Sequence, residues 1–200
     1  MRLTRDDWIE AAMQMLARQR IDGVRVEVLA RRLGVTKGSF YWHFEDRDKL
    51  LEAMIDAWEE ETDQLLAAAG EKPPGLGRVR RLLELVSESF GHLPDASVFA
   101  WALRDPVIAR RVAAVDKKRI DFQMQAALDS GMSRSKAERN ITLGYLAYCG
   151  WVTREEVAPD TAPSFRVLSK WLEELFEIPA PSNAAGKSYR GSAKPGSGGG

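Results

Sequence analysis

Residues 25–51, RVEVLARRLGVTKGSFYWHFEDRDKLL, decide how the chain is read. Val26, Leu29, Ala30 and Leu33 recur at helical spacing, which predicts a short helix over 26–33 with one apolar face. Gly34 then breaks the pattern, as suits a residue that leaves a helix in the left-handed conformation. Thr36 is a good N-cap for a second short helix. Val35 and Phe40 hold the N′ and N4 positions of a hydrophobic staple, and Phe40 and Phe44, four apart, share one inward face. Lys37, Gly38, Ser39, Tyr41, Trp42 and His43 are left to face outward. They are cations, donors and flat rings, and a helix–turn–helix with so polar a second helix suits the major groove of DNA. Gly38 costs about 1 kcal/mol against Ala inside a helix, which close approach to another surface would explain. The plainer alternative is a helical hairpin that touches no nucleic acid.

Charge supports the first reading locally and not globally. The chain of 200 residues carries 29 Lys and Arg against 29 Asp and Glu, so its net charge says nothing about DNA. From Arg18 to His43, however, there are six basic residues (Arg18, Arg20, Arg25, Arg31, Arg32, Lys37) against Asp22 and Glu27. That excess suits phosphates, although a solvated basic face has the same composition.

The run Leu29-Ala30-x-x-Leu33-Gly34-Val35-Thr36-Lys37-Gly38-Ser39-Phe40-Tyr41-Trp42-His43-Phe44, followed by Arg47 and Leu50-Leu51, resembles the DNA-binding domain of the tetracycline-repressor (TetR) family. The resemblance covers about the first quarter of the chain. It implies that Tyr41 and His43 hold backbone phosphates. Arg47 stands where relatives usually place a phosphate-binding Lys, and Lys37, Gly38 and Trp42 stand where relatives face bases or the groove wall. Arg25, Thr36 and Ser39 complete the DNA-facing candidates. Arg25 and Val26 depart from the family, which often has Thr there, and Glu27 sits where some relatives carry a basic group. Glu27 can accept a hydrogen bond from cytosine or simply face water.

Either side of this segment the chain reads as helix throughout. Thr4 caps a first helix to about Arg20, with Asp7 completing a capping box and Leu3 and Trp8 a staple. Asp46 caps a fourth to about Ala69, ended by Gly70 and Pro73-Pro74. It links the small N-terminal unit to the rest and is the expected lever between them. A fifth helix covers roughly Leu76 to Gly91, and Asp95 caps a sixth through Trp101. Asp105-Pro106 starts a long seventh that Gly131 closes. Ser133 or Ser135 starts an eighth, with Ser135–Glu138 as a capping box, and Ser164 a ninth ending near Glu177. The expected fold is all-α with about nine helices. Residues 1–48 form a helix-turn-helix DNA-binding domain, 49–178 a helical effector-binding and dimerisation domain, and 179–200, poor in large apolar residues, a disordered tail.

The eighth helix is apolar nearly all round between Leu143 and Trp151, and small residues there allow another helix close by. Leu143, Ala147, Gly150, Trp151, Leu168, Leu172 and Leu175 are therefore the candidate homodimer contacts. A two-fold dimer also places two reading units about 34–36 Å apart, as successive major grooves require. An aromatic set with a few polar groups (Trp58, Phe90, His92, Trp101, Gln123, Tyr145, Tyr148) is the candidate effector site, though each of these residues also suits a plain core. Catalysis finds no assembled site. The chain has two histidines, one of them in the DNA motif, and a single cysteine, Cys149. There is no metal-ligand spacing and no phosphate loop, so neither enzyme activity nor a cofactor is expected. One cysteine, no signal-peptide pattern and no run near the ~20 apolar residues of a membrane span point to a cytoplasmic protein. The resemblance implies a regulator whose partners are a double-stranded palindromic operator and a small-molecule effector that releases it. The alternative is a non-catalytic helical interaction module whose N-terminal unit meets a protein.

Overall fold

The computed structural model describes residues 3–89 and 94–179. Among them the chain forms α1 (Arg5–Gly23), α2 (Val26–Arg32), α3 (Lys37–Tyr41), α4 (Arg47–Gly70), α5 (Gly77–Glu88), α6 (Asp95–Ala102), α7 (Pro106–Asp129), α8 (Arg134–Val157) and α9 (Phe165–Leu175), with one 3-10 turn at Pro159–Thr161 and no strand. The 180–200 tail, Phe90, Gly91 and His92 lie outside the described residues.

Local chemistry sets most of the helix ends. Thr4 accepts from the Asp7 amide at 3.2 Å, and Asp7 Oδ2 accepts from the Thr4 amide at 2.6 Å, closing the capping box. Asp46 accepts from the Lys49 amide at 2.8 Å, and Asp105 from the amides of Val107 and Ile108 at 2.8 and 3.3 Å. Gly34 turns the chain out of α2 at φ 70°, a conformation that costs a side-chain-bearing residue about 1 kcal/mol. Arg20, at φ 58°, interrupts α1, which resumes to Gly23 instead of stopping at residue 20.

Three expected helix starts or ends differ. Asp95 is not a cap: it lies in the first turn of α6, its side chain turned wholly into the interior. No capping box forms at Ser135, because α8 already begins at Arg134, behind Ser133. The ninth helix stops at Leu175. Glu177 there takes the left-handed conformation, φ 57°, and the Ile178 amide reaches back to the Glu173 carbonyl at 2.9 Å. This is a Schellman closure without its usual glycine.

Two apolar clusters organise the packing. The first joins Trp8, Met15 and Leu16 of α1, Leu29 of α2, Phe40 of α3, Leu50, Met54 and Trp58 of α4, Val98 and Trp101 of α6 and Ile108 of α7. The reading helices are thus continuous with α4 and α6. The second joins α5, the far half of α7, α8 and α9 around Val79, Ala127, Ile141 and Phe176. At 24 residues, α4 runs about 36 Å, from the first cluster to the second.

Candidate DNA-reading face and interior cavity

Phe40 anchors the reading face. It is fully buried, with Trp8 and Tyr41 each edge-on to it at 5.3 Å and Phe44 stacked at 5.4 Å. Such pairs add about 0.5–1.5 kcal/mol each beyond burial. With Phe40 pinned inward, the helical repeat turns its neighbours out: Tyr41 is 60 % and Trp42 84 % exposed. Thr36, Gly38, Ser39, Trp42 and His43 line one shallow depression together with Leu3. Lys37 stands exposed beside them, its ammonium 2.5 Å from Glu27. A Cβ on Gly38 would meet nothing closer than Thr36 Oγ1 at 3.6 Å, so the subunit's own packing does not demand glycine there.

Arg25 is exposed at the cap of α2. Arg47 is not presented in the same way. Its Nε donates to the Val24 carbonyl at 2.6 Å and its Nη2 to that of Ile21 at 2.9 Å. It therefore ties the start of α4 to the carbonyl end of α1, where a cation is electrostatically favoured.

Behind this face, α4, α5, α7, α8 and α9 line a small cavity of about 60 Å³, partly open to solvent. Leu65, Leu66, Leu82, Leu83, Val86, Phe165, Leu172 and Phe176 make its apolar wall, and Thr62, Arg119, Gln123, Tyr145 and Tyr148 its polar side. Of the expected effector residues, Gln123, Tyr145 and Tyr148 line it. Trp58 and Trp101 do not: both are packed in the first cluster, Trp101 on α6 and Trp58 one layer behind the cavity. Phe90 and His92 fall outside the described residues.

The polar side is one buried network centred on Asp95. Its carboxylate accepts from Trp58 Nε1 at 2.6 Å, Arg119 Nη1 at 2.6 Å, Arg119 Nη2 at 3.4 Å and the Tyr148 hydroxyl at 2.8 Å. Arg119 also donates to Thr62 Oγ1 at 2.8 Å, and its guanidinium lies 5.2 Å from the Trp58 ring. Burial alone would raise the Asp95 pKa, but the adjoining Arg119 charge and the three donor side chains outweigh it and hold the carboxyl below its usual range. Tyr148 is pushed well up, by burial and then by the Asp95 charge. Tyr145 donates to Asp116 at 2.6 Å, while burial raises the Asp116 carboxyl. Cys149 sits beside this group, its thiol pushed up to about 11 chiefly by burial, and is a poor nucleophile.

Sequence reasoning placed neither Arg119 nor Thr62 here, and read Asp95 as a cap. A signal for Arg119 was present. Val112, Val115, Arg119, Gln123 and Ala126 recur at spacings of three and four on α7, so the basic residue interrupts an apolar stripe.

The outer faces of α8 and α9 carry exposed apolar residues. Leu143 and Leu146 are at least half exposed, with Ala147, Gly150 and Val157 on the same side, and Val167 and Trp171 are exposed on α9. Three expected dimer contacts lie elsewhere. Trp151, Leu168 and Leu172 are buried within the subunit, Trp151 donating to the Pro163 carbonyl at 2.7 Å and Leu172 lining the cavity. The helical repeat that exposes Leu143 and Trp171 turns these three inward. Leu175 is half-buried against the second cluster.

Among the described residues no helix is long and apolar enough to cross a membrane, and no three His, Cys, Asp or Glu residues converge as a metal site.

Residues 9–54 match the family model described as bacterial regulatory proteins, tetR family. The chain is 33 % identical to the HTH-type transcriptional regulator TtgR of Pseudomonas putida, over 88 % of its own length and 90 % of that protein. It is 37 % identical to the class D tetracycline repressor protein of Escherichia coli, but over 35 % of its own length and only 33 % of the repressor. In fold it is similar to the multidrug binding protein EbrR, solved with malachite green, at a TM-score of 0.59 and 20 % identity, over 86 % of this chain and 96 % of that one.

Proposed function

Since the chain belongs to the tetR family of bacterial regulatory proteins, we propose that it is a ligand-responsive, DNA-binding transcriptional regulator. It binds a palindromic operator as a homodimer, represses by occupying it, and is released when a small molecule enters the cavity. The observation that carries this reading is the path of α4. One helix starts beside the exposed α2–α3 face, through Arg47, and ends in the cavity wall, through Thr62, Leu65 and Leu66. A ligand that prefers one setting of this helix shifts the population of DNA-competent dimers by its differential affinity.

In this reading Thr36, Lys37, Gly38, Ser39, Trp42 and Tyr41 face the groove, with Arg25 and His43 at its edge. Arg47 acts by holding α4 against α1. Residues 1–48 read DNA, and 49–178 bind the effector and pair the subunits. Leu143, Leu146, Ala147 and Gly150 of α8, with Val167 and Trp171 of α9, form a four-helix interface with a second copy. The mostly apolar wall suits an effector with a large apolar surface. No catalytic step is assigned to the cavity, where both tyrosines are held protonated. The chain acts in the cytoplasm, where its DNA is.

DNase I footprinting on DNA upstream of the chain's own gene and its neighbours tests this. Protection of two half-sites, their centres one helical turn of about 10 base pairs or a multiple apart, is the expected result. Unbroken protection without a boundary would rule out specific operator binding.

A further inference from the structure

Glu27 and Lys37 stand on different helices, α2 and α3, yet Lys37 Nζ lies 2.5 Å from Glu27 Oε1. Both are about half exposed, on the face that carries Tyr41 and Trp42. The pair contributes little to folding, because exposed ion pairs seldom do. It also works against general attraction to DNA: Glu27 cancels the cation of the reading helix and repels phosphates. The hydrogen bond from Lys37 holds the Glu27 carboxyl below its usual range, so it is charged at neutral pH.

A carboxylate there needs a partner when water leaves the groove, since a charge left desolvated and unpaired is costly. The major-groove edges of the base pairs differ in what they offer. A G·C pair sets the acceptors O6 and N7 of guanine beside the N4 amino donor of cytosine. An A·T pair moves the amino donor to adenine N6, beside N7, and puts thymine's O4 acceptor and methyl group where cytosine offers its donor. An ammonium set on the purine's O6 and N7 positions, with the carboxylate beside it on the pyrimidine side, matches the first edge and not the second.

We propose that Glu27 and Lys37 read one G·C pair in each half-site jointly, Lys37 donating to guanine and Glu27 accepting from cytosine N4. Glu27 is then a specificity-determining residue. It rewards the correct pair and penalises A·T, where its carboxylate, on the pyrimidine side, faces thymine O4 and the methyl group. The inference rests on the DNA-binding reading above.

Selection from a random duplex library, with the wild-type dimer, Glu27→Ala and Lys37→Ala, tests it. The wild type fixes G·C at one position of each half-site, and changing that pair to A·T weakens binding roughly 5- to 100-fold. Both variants lose this preference, at the same position. Glu27→Ala in addition binds random DNA more tightly, and its salt slope steepens by about one per subunit as Lys37 becomes free for a phosphate. A Glu27→Ala protein that selects the wild-type motif unchanged and tightens on every sequence alike overturns the inference: Glu27 would only temper charge. Relaxation at two different positions overturns the joint reading of one pair. A wild-type protein that selects no motif overturns the DNA-binding reading as well, so the two failures are distinguishable.

Discussion

Asp95→Asn removes one charge from the buried network while nearly preserving its shape. In the native protein four hydrogen bonds, from Trp58, Arg119 (two) and Tyr148, converge on a carboxylate with no solvent exposure. The neutral amide leaves the Arg119 guanidinium, itself buried, without its counter-ion. Breaking a buried pair from one side costs about 3–5 kcal/mol, a large share of the roughly 5–15 kcal/mol that holds a domain together. With a urea m-value of about 2–3 kcal/mol/M, the unfolding midpoint should fall by roughly 1–2 M, at matched protein concentration because a dimer's stability depends on it. The double variant Asp95→Leu with Arg119→Met, which removes both charges, should lose less than Asp95→Asn alone.

The pH dependence follows from the sign of the shift. The folded Asp95 carboxyl lies below its usual range, so its contribution is fully present above the unfolded carboxylate pKa of about 3.9 and is lost as pH falls through the folded value. The gap between wild type and Asp95→Asn should therefore be constant from neutral pH to about pH 5 and close in stronger acid. A loss below about 1 kcal/mol at pH 7, or a double variant as damaged as Asp95→Asn, would refute the view that this ion pair is held at the expense of desolvation.

Four further outcomes follow from the geometry. Trp42→Ala, at an 84 % exposed site, should leave the melting temperature within about 1–2 °C, since such surface changes stay within about 0.5 kcal/mol, yet weaken operator binding measurably by anisotropy. Leu146→Glu, on the outer face of α8, should convert the dimer to a folded monomer in analytical ultracentrifugation, whereas Leu172→Asp should unfold the subunit because it puts a charge into the interior. Gly144→Ala would drive its Cβ into the edge of the Phe176 ring, 2.8 Å from Cε1 and closer still to Cζ. It should cost about 1–3 kcal/mol despite alanine's better helix propensity, and Phe176→Leu in the same chain should restore most of the loss in a thermal melt. Glu177→Gly should stabilise by up to about 1 kcal/mol by relieving a left-handed residue, less the small contribution of the exposed Lys136–Glu177 pair.

The DNA-reading segment was legible because its signals are local. The Gly34 turn, the Val35–Phe40 spacing and the polar remainder all fall within about twenty residues, and each acts through neighbours in the chain. The same holds for Thr4, Asp46 and Asp105 as caps. What the sequence could not convey is how distant helices meet. Asp95 beside Pro94 has the pattern of a helix start, and only the packing of α4, α7 and α8 around it turns the carboxylate inward. Arg47 carries the charge expected of a phosphate contact, but the carbonyls that receive it belong to residues 23 and 26 positions earlier. Leu168 and Leu172 are expected from the sequence as dimer contacts on α9, and they are buried within the subunit instead. Their burial depends on where α8 lies, which periodicity alone does not specify. Trp58 and Trp101 show the same limit, since aromatic composition does not say on which side of a wall a ring will sit.

Fluorescence anisotropy measures specific DNA recognition directly. The purified protein would be titrated onto labelled fragments from upstream of its own gene and its neighbours, against random genomic DNA, at low and moderate salt. One fragment should bind about 10³-fold or more above the rest, with affinity falling steeply as salt rises, since phosphate contacts release counter-ions. Equal, weak binding to every fragment, or binding indifferent to salt, would contradict it and favour a helical module whose N-terminal face meets a protein.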